Sequence, residues 1–92
     1  MGLLLIAVVD MADGQAEAGQ QYEDAVLALL GRHDGVIERR FRQGDGAAEV
    51  HVIRFAGREG YDAFMVDPER LALREKLGPA APSTRVLEVY EV

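Results

Sequence analysis

The sequence predicts an α+β fold in the order β-α-β-β-α-β, with a four-stranded antiparallel sheet and two helices on one face. Seven consecutive apolar residues at 3–9 indicate a strand that is apolar on both faces, because alternate side chains point to opposite sides. Later segments change between helical spacing and strand-like alternation of apolar residues. The two halves of the chain repeat the same order of elements, which is typical of a split βαβ arrangement.

Composition bounds the class of protein. The 92 residues suit one domain spanning 1–92, and the hydrophobic share of 49% is too high for a disordered chain. The net charge of −6 argues against nucleic acid, which proteins bind mainly through cations. The run at 3–9 is too short to span a bilayer and lacks the basic start of a signal peptide. With no cysteine for disulfides or thiolate metal sites, we expect a cytoplasmic protein.

The first helix is predicted over residues 15–32, after a turn and helix-start cluster at Asp10, Asp13 and Gly14. Its apolar stripe at helical spacing comprises Tyr22, Ala25, Val26, Leu29 and Leu30. Glu23 and the other polar residues of this segment are expected to face water. Gly35 is expected to end the segment in a left-handed conformation.

A hairpin follows. Residues 36–42 alternate but carry many charges, which is typical of an edge strand. Regular alternation places Ile37 and Phe41 on one face, and Val36, Glu38, Arg40 and Arg42 on the other. The sequence Gln43-Gly44-Asp45-Gly46 predicts the turn, because Gly and Asp tolerate positive φ. Residues 48–55 form a more apolar strand that we expect at the centre of the sheet.

The second half of the chain repeats helix and strand. A helix is predicted over residues 58–66, and Asp67-Pro68 restarts it, since Asp67 can cap and Pro68 suits a first helical position. The continuation to Leu77 carries a charged face expected to be solvated, comprising Glu69, Arg70, Arg74, Glu75 and Lys76. The last strand is predicted over residues 84–92. Alternation places Val86, Tyr90 and Val92 on one face, and Leu87 and Val89 on the other.

Right-handed crossovers place the first and third strands at the centre of the sheet. These strands also carry the fewest charges, so pattern and topology agree. The helix-free face of the sheet is then too apolar for water. We therefore expect a homodimer formed through this face, with the chain as its own partner.

The order of elements, with Val-Ile-Arg-Phe at 52–55 followed by a helix and then Asp67-Pro68-Glu69, resembles the dimeric α/β-barrel superfamily. It is most similar to the small bacterial domains of unknown function there, which are related to the NIPSNAP and antibiotic-biosynthesis-monooxygenase families. The resemblance implies a ferredoxin-like fold that dimerises through its open sheet face. Members include cofactor-independent oxygenases, isomerases, polyketide cyclases and haem-degrading enzymes, so the fold selects no single activity.

The chain departs from the monooxygenase pattern at two positions. Ile53 stands where that family often has a Glu on the third strand, and Phe64 stands where it has a helix His. Both departures count against that activity. The chain contains neither Asn nor Trp, which argues against haem degradation of the type that uses Asn, Trp and His.

His51 is the strongest candidate catalytic residue, as a base or a group that polarises a carbonyl at neutral pH. It shares a strand face with Glu49, and an acid is easier to place beside a wet cleft than under helices. We therefore expect His51 to face the dimer-side cleft, with Val50 and Val52 in the helix-covered core. The alternative is a histidine that packs at a sheet interface and hydrogen-bonds to a neighbour.

Tyr61 and Tyr90 are candidate catalytic hydrogen-bond donors. Tyr61 lies on a helical stripe, where a core role is the alternative, and Tyr90 could reach the dimer seam. His33 is expected to be a solvated residue at a helix end. The two histidines match no compact metal-ligand spacing, and no phosphate loop or nucleophile elbow is present, so we expect neither a metal nor another cofactor.

Three functions remain open. The first is a homodimeric domain of unassigned function with a cleft for a small apolar or aromatic ligand. The second is a cofactor-independent monooxygenase, isomerase or cyclase acting on a small aromatic or polyketide-like substrate, with His51 as base. The third is a purely structural module. A pocket of a few hundred Å³ near His51 favours the first two, whereas a space filled by large side chains favours the third.

Overall fold

The computed structural model describes residues 2–92 and confirms the ferredoxin-like α+β fold. Its elements are β1 (Leu3–Asp10), α1 (Ala16–Leu27), β2 (Gly35–Arg42), β3 (Ala48–Phe55), α2 (Arg58–Met65), α3 (Pro68–Leu77) and β4 (Ser83–Val89), with 3-10 turns at Leu30–His33 and Gly78–Ala80. The strands form one antiparallel sheet in the order β2-β3-β1-β4. The predicted central strands are therefore central.

β1 is apolar on both faces, as its sequence predicts. Leu5, Ala7 and Val9 are buried beneath the helices and contribute to the core with residues of α1 and β3. The intervening side chains lie on the other side of the sheet. This helix-free face carries Leu4, Ile6, Val8, Val50, Val52, Leu87 and Val89 across three strands. Among residues 2–92, no helix is both long and apolar enough to cross a bilayer.

The first helical segment is shorter than its apolar stripe predicts. α1 ends at Leu27, and the chain continues into the 3-10 turn Leu30–His33. The left-handed residue that follows is Asp34, with φ of 59°, and not Gly35. Gly35 is needed for space, because a Cβ at this position would come within 2.7 Å of the Phe55 ring.

The predicted break between the last two helices is confirmed at Asp67-Pro68. The Asp67 side chain caps α3 by accepting hydrogen bonds from the backbone N–H groups of Glu69 at 2.8 Å and Arg70 at 3.4 Å. His33 is not the solvated residue expected from the sequence. Its Nε2 lies 2.6 Å from Oδ2 of Asp67, and this contact joins the 3-10 turn to the start of α3.

β2 contains a bulge that overturns the predicted assignment of its faces. Ile37 pairs with Ile53, but Arg39 rather than Glu38 pairs with Val52, so one extra residue is inserted. Every later side chain changes face relative to regular alternation. Arg40 and Arg42 therefore join His51 and Glu49 on the helix-covered side. Phe41 lies opposite Val50 on the helix-free face and is exposed.

β4 ends earlier than the sequence predicts. Val86 lies on the helix-covered side, and Leu87 and Val89 pair with β1 on the helix-free face, as alternation indicates. The strand stops at Val89, so Tyr90 and Val92 lie beyond it and are exposed. The alternating pattern continues past the last residue that has a strand partner.

Candidate functional site

A cavity of about 310 Å³ lies between the helix-covered face of the sheet and the three helices. Much of its wall is hydrocarbon or aromatic, including Leu5, Ile53, Phe55, Phe64, Met65 and Val86. Its polar lining includes Tyr22, Glu23, His51, Tyr61, Arg70 and Arg74. An apolar cavity with a few convergent polar groups is typical of a small-molecule site.

His51 lines this cavity, so its predicted orientation is wrong. Its side chain is covered by the helices and only 1% exposed, while Val50 and Val52 lie on the helix-free face. The expectation failed because Glu49 does not need a wet cleft: two guanidinium groups on the same face of the sheet compensate its charge. A catalytic His51 on the dimer side of the sheet is therefore excluded.

Glu49 is the buried carboxylate behind the cavity wall. It is fully buried, and it accepts hydrogen bonds from Nε of Arg40 at 2.8 Å and Nε of Arg42 at 2.8 Å. Burial alone would raise the pKa of Glu49, but hydrogen bonds from Arg40, His51 and Arg42 outweigh it and lower the pKa to about 2. Glu49 is therefore an anion at neutral pH.

The ionised Glu49 fixes the proton of His51. Nε2 of His51 lies 2.7 Å from Oε1 of Glu49, and a carboxylate can only accept, so Nε2 carries the hydrogen and donates it. Burial lowers the pKa of His51, which is neutral at pH 7 as a result. Nδ1 is then the unprotonated nitrogen, and it lies 3.9 Å from Oε1 of Glu23 at the cavity wall.

Glu23 is a site residue that sequence reasoning placed in water. Its side chain is in the cavity wall and 6% exposed. Burial, and then the negative charge of Glu49, raise the pKa of Glu23 to about 7 against the lowering effect of nearby guanidinium groups. Its carboxyl is thus partly protonated at neutral pH. The signal in the sequence is its spacing of three from Val26 and seven from Leu30, which places it at the edge of the apolar stripe.

Arg70 and Arg74 also line the cavity. Both were expected on a solvated face, and Arg74 is indeed exposed, whereas Arg70 is half-buried. Arg70 donates from Nη1 to the carbonyl of Met65 at 3.2 Å, and its guanidinium lies 5.2 Å from the centre of the Phe64 ring. Arg74 donates from Nη1 to the carbonyl of Pro82 at 3.1 Å. The signal is again spacing: both arginines share the helical stripe of Leu73 and Leu77.

Two donors of the cavity lack a protein partner. Within residues 2–92, neither the hydroxyl of Tyr22 nor Nε of Arg70 makes a hydrogen bond, and both atoms are buried. Buried polar atoms in folded proteins are nearly always paired. Both side chains line the cavity, so a ligand bound there is a possible source of the missing acceptors.

The structure brings together two of the three residues chosen from the sequence. Tyr61 lines the cavity with His51, and its ring packs against Phe55 with 5.6 Å between centroids. Tyr90 does not belong to this cavity: it lies past the end of β4 and is 83% exposed. In the part of the chain that the structure describes, no group of three or more His, Asp or Glu side chains is placed to hold a metal ion.

Comparison with known proteins shows the fold. No family model matches the sequence, and no curated protein matches it. SnoaB from Streptomyces nogalater, a cofactor-independent oxygenase, is 13% identical with a TM-score of 0.75, over 98% of this chain and 92% of that chain. A NIPSNAP family protein of unknown function from Agrobacterium tumefaciens is 18% identical with a TM-score of 0.68, over 96% and 87%.

A third solved structure, Rv0793 from Mycobacterium tuberculosis, is 20% identical with a TM-score of 0.73 and covers 100% of this chain and 98% of that chain. The chain thus has the ferredoxin-like fold found in NIPSNAP and monooxygenase-like proteins, which confirms the resemblance drawn from the sequence.

Proposed function

We propose that the chain is a homodimeric domain that binds a small aromatic or otherwise apolar molecule in its cavity, and that His51 acts there as a general base. The observation that carries this proposal is the buried His51 imidazole at the cavity wall. Its Nε2 is fixed by an ionised Glu49, and its Nδ1 is unprotonated. A neutral imidazole oriented by a carboxylate is suited to remove a proton at pH 7.

The proposed chemistry is proton abstraction from a carbon or hydroxyl group of the ligand. Nδ1 of His51 takes the proton, and the electron pair stays on the ligand as an enolate or phenolate. The resulting imidazolium remains hydrogen-bonded to Glu49. Glu23, with a pKa of about 7, is close enough to His51 to receive the proton next. Oxygenases, isomerases and cyclases without cofactors can all start from such a step.

The cavity favours a ligand-binding role over a purely structural one. A structural module would fill the space beside His51 with large side chains, whereas about 310 Å³ remains open to a ligand. The fold shared with the cofactor-independent oxygenase SnoaB supports an oxygenase as one outcome of the proton abstraction. Ile53 and Phe64, which depart from the monooxygenase pattern, keep isomerase and cyclase as the alternatives.

The homodimer is proposed on the helix-free face. Apolar side chains from β1, β3 and β4 meet there without cover from the helices, and Phe41 and Leu87 are exposed. A patch of this extent is typical of a protein interface. A cytoplasmic location is part of the same proposal, since the lack of cysteine suits a reducing compartment.

Exchange of the acidic C–H protons of 2-tetralone with D₂O, followed by NMR, tests the role of His51. We expect the protein to accelerate exchange and His51→Gln to reduce the acceleration by about 10²-fold or more. His33→Gln is the matched control, because His33 is the other histidine and does not line the cavity. Equal rates for the protein and its His51 variant would exclude His51 as the base.

A further inference from the structure

We propose that the ligand of this cavity is a small apolar acid whose carboxylate is bound by the Tyr22 hydroxyl and the Arg70 guanidinium. The inference rests on the proposed function, since it takes the cavity to be the binding site, and it adds the substrate class. Its basis is the pair of buried donors that have no partner within residues 2–92.

The two donors point to an acceptor on the ligand. Tyr22 is only 7% exposed, and Nε of Arg70 is buried, yet neither atom donates a hydrogen bond to the protein. Both side chains line the same cavity, from α1 and from α3. An unpaired buried donor destabilises a folded protein, so a ligand with a matching acceptor gains more here than in a satisfied pocket.

The charge of the wall points to an anion. Arg70 and Arg74 line the cavity in a chain whose net charge is −6. Glu23 is the nearby acid, and burial raises its pKa to about 7, so it cancels only part of that positive charge. Glu49 is engaged by its own two arginines behind the wall. A guanidinium presents its donors as a planar fork that matches a carboxylate.

The rest of the ligand is hydrocarbon or aromatic. The wall across from α3 is formed by β1 and β3 side chains such as Leu5, Ile53 and Phe55. These side chains offer no partner for a second charge on the ligand. Burial of apolar ligand surface against them is favourable, because it removes that surface from water. An acid with one charged end and one apolar body therefore fits both parts of the cavity.

Isothermal titration calorimetry with 1-naphthoate and its uncharged isostere 1-naphthamide tests the inference. We expect 1-naphthoate to bind with a Kd at least about tenfold lower than that of 1-naphthamide. Equal affinity for the two compounds would overturn the anionic class while leaving the cavity a ligand site. Failure of both compounds to bind would overturn the cavity as a binding site, and the proposed function with it.

Variants identify the groups that bind the carboxylate. Arg70→Gln should weaken 1-naphthoate by about tenfold and leave 1-naphthamide unchanged. Lys76→Gln is the matched control, because it removes one positive charge from the same helix at an exposed position outside the cavity. An equal loss in both variants would mean that net charge, and not Arg70, attracts the ligand, and would overturn the assignment.

The variant Tyr22→Phe separates a loss of ligand binding from a loss of folding stability. Its hydroxyl has no protein partner, so its removal should leave the thermal unfolding midpoint unchanged or higher while weakening 1-naphthoate by about threefold or more. A variant that loses stability and keeps its affinity would show that the hydroxyl serves the fold, and would remove Tyr22 from the site.

Discussion

Glu49 joins β2 to β3 through a buried carboxylate whose three partners are two arginines and a histidine. Glu49→Gln leaves these partners without their anion, and removing one member of a buried charge pair is more costly than removing a surface pair. We expect urea unfolding to show a loss of about 3–5 kcal/mol in the free energy of unfolding at pH 7.

Glu38→Gln is the control for this variant, since Glu38 pairs with Arg54 at the surface and the expected loss is below about 1 kcal/mol. The pH dependence has a definite sign. The folded pKa of Glu49, about 2, is below its ordinary value of 4.5, so its stabilisation is present above pH 4.5 and is lost as pH falls towards 2. Similar losses in the two variants at pH 7 would contradict the prediction.

The pH dependence of the contribution of Glu23 to stability has the opposite sign. Its folded pKa of about 7 lies above the ordinary 4.5, so the folded chain holds a proton that the unfolded chain has released, and stability falls as pH rises through this window. Glu23→Gln should therefore be more stable than the parent at pH 8, by about 1–3 kcal/mol, and nearly equal at pH 5. Urea unfolding at both values measures this.

The matched control is Glu17→Gln, which removes the same charge from an exposed position on α1. A Glu23 variant with the same stability gain at pH 5 as at pH 8 would show that its carboxyl does not titrate in this window.

The site residues missed in the sequence share one cause. Glu23, Arg70 and Arg74 each lie on a helical stripe with apolar neighbours, but charged residues are normally assigned to water. Such polar side chains can be recognised as site residues only once the elements that pack opposite them are known. His51 was found because imidazole titrates near neutral pH. Its face was misassigned because Glu49 beside it was expected to need a wet cleft, whereas Arg40 and Arg42 compensate the charge of Glu49 beneath the helices.

At the scale of elements, the β2 bulge is the feature that places Arg40 and Arg42 on the same side of the sheet as Glu49. Along β1 and β3, where the ladder is regular, periodicity of two predicts correctly which side chains share a face, although it does not tell which face the helices cover. An inserted residue leaves no mark in the hydrophobic pattern of a strand as charged as β2. The bulge therefore could not be derived, although it lies on an edge strand, where bulges are common.

The packing of α2 against the 3-10 turn depends on one glycine. A Cβ at Gly60 would collide with the backbone carbonyl of His33, and backbone cannot move aside as a flexible side chain can. We expect Gly60→Ala to lower the free energy of unfolding by about 1–3 kcal/mol, measured with urea. Gly31→Ala is the control, because a Cβ there meets no atom within 4 Å; an equal effect at both positions would contradict close packing at Gly60.

At the scale of the whole molecule, the sheet separates two functions: the helix-covered side holds the cavity, and the helix-free side is available for assembly. We expect sedimentation at micromolar concentration to give about twice the chain mass of 10.1 kDa. Val52→Asp places a charge in the middle of the helix-free face and should yield a monomer with unchanged circular dichroism.

Val66→Asp makes the same change at an exposed position outside the sheet and should leave the mass at two chains. A parent protein that sediments as a stable monomer would exclude the proposed homodimer.

Topology was predictable because burial and charge agree along the chain. The doubly apolar β1 and the apolar β3 had to be central, and the charged β2 had to be an edge, so crossover handedness left one arrangement. The depth of the cavity could not be predicted in this way. It depends on which side chains approach one another across the layers, and spacing within a single element does not contain that information.

The β2 bulge also determines how the length of this strand can vary in evolution. Because the extra residue at position 38 is accommodated locally, a relative lacking it would keep Arg40 opposite His51 and Arg42 opposite Glu49 in a ladder without a bulge. We expect a deletion at this point to remove the local bend of the edge strand while keeping the pairing of both arginines with β3. We therefore expect relatives that lack this residue to have their gap within β2, and not in the hairpin turn that follows.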